Sequence, residues 1–70
     1  MTKDQFETEV GLEALSQGLV SEIQAIRLVW EDESRDEIGG IVEIDDGSNT
    51  TRLSAYAESD IVTVAFLSRR

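Results

Sequence analysis

The sequence predicts an α+β fold: one N-terminal helix packed on an antiparallel sheet of about four strands joined as a meander. Three observations carry that expectation. The first seventeen residues hold a capping pattern and an apolar stripe at helical spacing, Asp45-Asp46-Gly47-Ser48 is a tight-turn signal between runs of matching parity, and Ile61 to Leu67 is the most β-prone run of the chain. At 70 residues, without an internal repeat, a low-complexity tract or any proline, the chain 1–70 reads as a single domain.

The helix is expected over Thr2 to Gln17. Thr2 with Gln5 three residues on forms a capping box, and Asp4 and Glu7 lie where the positive end of the helix dipole favours anions. Phe6, Val10 and Ala14 follow a four-residue spacing with Leu15 alongside. Gly11 costs up to about 1 kcal/mol in the middle of the helix, and Gly18 is a natural stop.

From Ser21 to Asp32 two readings compete. Ser21 with Gln24 resembles a second capping box, with Ile23, Ile26 and Trp30 on one helical face; Gln24, Ile26, Leu28 and Trp30 also share one strand parity. The compact run Leu28-Val29-Trp30 favours a strand. Ile38 to Asp45 follows as a strand with Gly39-Gly40 near its start, where a bulge or close backbone approach is expected. Thr50 to Tyr56 is the next strand, Glu58-Ser59-Asp60 a turn, and Ile61 to Leu67 the last strand.

Parity assigns the faces. A two- or four-residue central loop places Val42 and Ile44 with Leu53 and Ala55, and the four-residue version sets Glu43 opposite Arg52 as minor surface glue. The core face is expected to add Ile26, Leu28, Trp30, Val62, Val64 and Phe66. The other face would hold Val29, Ile41, Tyr56, Ile61, Thr63 and Leu67, either partly covered by the segment around Leu19 and Val20 or forming a contact surface. Arg69 and Arg70 read as a frayed, solvated end.

Composition narrows the chemistry. Domains below about 70 to 80 residues commonly rely on disulfides, metal or oligomerisation. With no Cys and no His, disulfides and thiolate or imidazole metal sites are excluded, which leaves efficient packing or self-association; a homodimer through the sheet face stays open. Asp45, Asp46, Ser48 and Asn49 offer oxygens of the kind Ca²⁺ takes, but the twelfth position counted from Asp45 is Tyr56 where an EF-hand loop needs Glu, and a hairpin turn explains the segment better. No metal or cofactor is expected. No catalytic residues are expected either, since the chain lacks His, Cys and a nucleophile-elbow Ser and is small for enclosing a substrate. No run approaches the roughly 18 apolar residues of a membrane span, and no signal-peptide pattern opens the chain, so a cytoplasmic location is expected.

Charge is the strongest functional signal. Fifteen acidic residues against six basic ones give a formal net charge of −9, and five of the seven residues from Glu31 to Glu37 are acidic. That run, Glu31, Asp32, Glu33, Asp36 and Glu37, is expected in a loop that emerges beside the turn bearing Glu58 and Asp60, offset by Arg35. Asp4, Glu7, Glu9 and Glu13 would extend this acidic pole along the helix. Direct binding of DNA or RNA is not expected from such a chain, whereas a basic nucleic-acid-binding protein or complex is a suitable partner. Acidic residues two apart on a strand, such as Glu43 and Asp45, lie about 6.7 Å apart, on the scale of successive phosphates.

In size, lack of cysteine, low isoelectric point and acidic runs such as Glu31-Asp32-Glu33 and Asp36-Glu37 on an α+β frame, the chain resembles small phage-type inhibitors that imitate DNA, among them anti-CRISPR proteins that plug the DNA channel of a CRISPR effector. The resemblance covers the whole chain in kind, and the class has no shared motif by which residues could be carried over. It implies an inhibitor that blocks target DNA binding in the host-cell cytoplasm, with the acidic pole as contact. The alternative is a non-catalytic interaction module, an antitoxin or assembly subunit, that binds through the apolar back of its sheet.

Overall fold

A computed structural model describes residues 1–34 and 37–70, with the backbone alone at 33, 34 and 37. It shows one helix, α1 (Lys3–Ser16), followed by four strands, β1 (Ala25–Ser34), β2 (Glu37–Asp45), β3 (Thr50–Glu58) and β4 (Ile61–Arg69). The strands form one antiparallel sheet in the order β1-β2-β3-β4, the expected α+β meander.

The helix forms where its caps dictate. The Gln5 N–H donates to the Thr2 hydroxyl at 3.1 Å and the Thr2 N–H donates to the Gln5 side-chain oxygen at 2.9 Å, closing the capping box. Gly18, at φ +73°, follows the C-cap Gln17. Phe6, Val10 and Ala14 are fully buried, and burying a side chain such as Phe6 contributes about 1.5–3 kcal/mol. Leu15, expected beside this stripe, is exposed.

The central hairpin has the four-residue loop Asp46 to Asn49, with Asp45 opposite Thr50 and Glu43 opposite Arg52. Val42, Ile44, Leu53 and Ala55 therefore share one face, and with Ala57, Val64 and the helix they build the core. Val20 is buried in the same cluster and Leu19 packs against it, so this segment lies on the helix side and does not cover the back of the sheet.

Two bulges change the parity reading. In β1, Leu28 pairs with Val42 but Trp30 pairs with Ile41, so Val29 is an extra residue and every side chain after it changes face. Trp30, expected in the core, is therefore on the back of the sheet and 58 % exposed. Gly40 accommodates this bulge, since a Cβ there would be driven into the Trp30 carbonyl oxygen. In β4 the register jumps from Leu53–Phe66 to Arg52–Ser68, with Leu67 extra. Phe66 keeps the core side opposite Leu53, yet it is 49 % exposed, with the Arg69 guanidinium 5.6 Å from its ring centroid.

The C-terminal arginines are tied down, contrary to a frayed end. Thr50 and Arg70 exchange both backbone hydrogen bonds at 2.8 Å, and Arg69 donates to the Leu19 carbonyl at 3.0 Å. Among the described residues no helix is long and apolar enough to cross a membrane.

Candidate partner-binding site

The acidic run is mostly strand. Glu31, Asp32 and Glu33 belong to β1, not to a loop, and strand alternation sends their positions to different faces. Glu31, opposite Gly40, lies on the helix side, where Lys3 Nζ meets its carboxylate at 2.9 Å. Asp32, opposite Gly39, is exposed on the back of the sheet. Glu33 pairs with Ile38 and Glu37 with Ser34 along the ladder. Asp36, with Arg35 and the side chains of Glu33 and Glu37, lies outside the described residues.

The meander brings the β1–β2 connection and the β3–β4 turn to one end, as expected, and Glu58 and Asp60 are both exposed there. The helix begins at this end. Asp60 lines a shared groove with Asp4, Thr8 and Glu9, so the acidic surface continues from the turn onto the helix. A helix and a tight turn carry these carboxylates, so the backbone positions of Asp4, Glu9 and Asp60 are set by the fold.

The opposite end has a different chemistry. Glu43 is 7 % exposed and stands at the centre of three arginines. Arg27 Nε donates to its Oε1 at 3.2 Å, Arg70 Nη2 donates to its Oε2 at 2.9 Å, and Arg52 Nε lies 3.3 Å from Oε2 as an ion pair without hydrogen-bond alignment. Arg27 Nη1 also donates to Asp45 Oδ2 at 2.9 Å, and the Thr50 hydroxyl donates to Asp45 Oδ1 at 2.7 Å. The Arg27 guanidinium, followed by the Thr50 hydroxyl, holds the Asp45 carboxyl below the usual carboxylate range; the same hydrogen bond raises Arg27.

Glu43 and Asp45 are therefore neutralised by Arg27, Arg52 and Arg70 and offer no phosphate-like pair. The neighbouring Asp46 accepts the backbone N–H groups of Asn49 at 2.8 Å and Ser48 at 3.1 Å, which lower its pKa and shape the turn. Its carboxylate serves the hairpin. Among the described residues no three acidic side chains are grouped so as to hold a metal ion.

Arg27, Arg52, Arg69 and Arg70 all lie at this end, together with Glu43, Asp45 and Asp46. Four of the described basic residues thus accompany Glu43, Asp45 and Asp46, and Glu22, next to the Ser21 that shares a groove with Asp46 and Arg69, is a further acid at this end. The register of Glu43 against Arg52 was readable in the sequence, but treating it as surface glue missed the arginines converging from β1 and the chain end. No family model, curated protein or solved structure matches the chain.

Proposed function

We propose that the protein is a non-catalytic inhibitor that binds a basic nucleic-acid-binding surface of a larger protein through its acidic end and excludes DNA from it. An anti-CRISPR protein acting on a CRISPR effector is one form of such a DNA mimic. The observation that supports this reading is the segregation of charge: the arginines gather around Glu43 and Asp45, while the end that carries Asp4, Glu9, Glu58 and Asp60 keeps its excess of acid, Glu31 there being held by Lys3. A channel that binds DNA presents Lys and Arg to a line of phosphates, and a rigid acidic surface competes for those side chains.

The test is capture from a candidate host lysate at low and high salt, followed by a mobility-shift competition with the captured protein. The inhibitor should abolish the partner's DNA shift without shifting DNA itself, and capture should fall steeply with salt. A partner that binds the protein and DNA together undisturbed contradicts the reading.

A second reading, a module that binds through the back of the sheet, is favoured by the exposure of Trp30, Tyr56 and Leu67 around one groove of that face. An apolar contact of this kind weakens little with salt. Alanine at Trp30 and Tyr56 would then abolish capture, whereas lysine at Glu9 and Asp60 would leave it unchanged.

A further inference from the structure

The back of the sheet carries its own charge order. One end holds Arg27, Arg52 and Arg70 around Glu43 and Asp45, the middle holds Trp30 and Leu67 beside Ile41, and the other end carries Asp32 and Glu58. Trp30, Tyr56 and Leu67 border a shallow groove of about 400 Å³ floored by Gly39 and Gly40. We propose that this face is covered by a second copy of the chain, packed sheet to sheet about a two-fold axis that crosses the strands at the level of Trp30.

Such an axis lies in the interface plane and reverses the strand direction of the partner copy. It sets the arginine end of each copy over the acidic end of the other, with the two tryptophans meeting near the axis. An isologous contact requires this self-complementarity. A two-fold axis parallel to the strands would instead lay arginine end on arginine end, which like-charge repulsion disfavours.

The area is sufficient. Nine-residue strands of about 30 Å, four abreast over about 19 Å, offer roughly 550 Å² per copy and about 1,100 Å² in total. That clears the roughly 1,000 Å² expected of a specific contact. A second copy also supplies the oligomeric support that a domain of this size, without disulfides, otherwise lacks. Trp30, unused by the fold's own core, becomes the centre of a second one.

Sedimentation velocity from micromolar to millimolar concentration, with Trp30 fluorescence on the same samples, tests this. The wild-type chain should form a dimer, and its emission should shift to shorter wavelength as the dimer fills. Trp30→Ala should weaken dimerisation at least about 30-fold while circular dichroism stays native, as expected for a hot-spot residue exposed in the monomer. Asp32→Lys should weaken it about 10-fold, because lysine would then face the partner copy's arginine end. If Trp30→Ala does not fold, Asp32→Lys decides alone. A wild-type chain that stays monomeric at millimolar concentration overturns the proposal, and so does a dimer that Asp32→Lys leaves intact. Either result leaves the acidic-end reading standing, because the helix-side acids take no part in this contact.

Discussion

Both ends of the sheet carry carboxylates and use them in opposite ways. At the end carrying the Asp46 turn, Glu43 and Asp45 are each held by arginine, Asp46 is held by backbone N–H groups, and Arg70 closes the cluster from the last position of the chain. At the other end Asp60 lies beside Asp4 and Glu9, and Glu58 is exposed nearby. Net charge alone does not reveal this difference, because a chain at −9 could carry its excess evenly. The arginine positions create the polarity, so changes at the arginine end should act on stability and changes at the acidic end on binding.

The largest effect is expected where the two regions join. Gly40→Ala would push a Cβ into the Trp30 carbonyl and disturb the bulge that sends Glu31 and Asp32 to their respective faces. A loss of about 3 kcal/mol in denaturant unfolding is expected, since backbone, not a flexible side chain, must move. An unchanged midpoint would mean that β1 has no bulge at Val29.

Glu43→Gln comes next. It removes the charge at the centre of three arginines while keeping the side chain's shape, and a loss on the order of 2 kcal/mol is expected because those cations would then repel one another. The arginines are partly solvated, which places the cost below that of a fully buried pair.

Acid titration probes the arginine end. The folded-state pKa of Asp45 is depressed, so the stability it contributes is present above its unfolded value near 3.8 and is lost as pH falls through the folded value. Asp45→Asn should therefore flatten the acid limb of the stability curve, measured by chemical unfolding between neutral pH and acid. A curve of unchanged slope would mean that the Arg27 contact does not persist in solution.

The smallest effect on stability is expected at the acidic end. Glu9→Lys with Asp60→Lys should leave the melting temperature unchanged or slightly raised at low salt, within about 0.5 kcal/mol, by relieving repulsion. A loss comparable to that of Glu43→Gln would show that these acids serve the fold.

Much of this was legible in the sequence where one local rule decided the outcome. The Thr2–Gln5 box, the Phe6, Val10 and Ala14 stripe and the parity of Val42, Ile44, Leu53 and Ala55 each depend on short-range spacing, and each appears in the structure. Trp30 was misplaced because parity counts residues, and one extra residue at Val29 inverts the rest of the strand. Gly39-Gly40 signalled a close approach but could not say which strand bulged. Glu31 to Glu33 read as loop because charge density resembles a loop, whereas hairpin pairing with Gly40, Gly39 and Ile38 extends the strand through them. The arginine cluster eluded the sequence because it assembles from β1, β3 and the chain end, a three-way contact that no local window contains.

The central claim is that the acidic end, and not the arginine end, is the surface available to a basic partner. Titrating isotope-labelled protein with an oligolysine peptide and following backbone amide shifts tests it directly, whatever the partner proves to be. Shifts should concentrate at Asp4, Glu9, Glu31 and Asp60 and vanish with added salt. Shifts centred on Arg27, Glu43 and Asp45, or spread evenly over the sheet, would contradict the account.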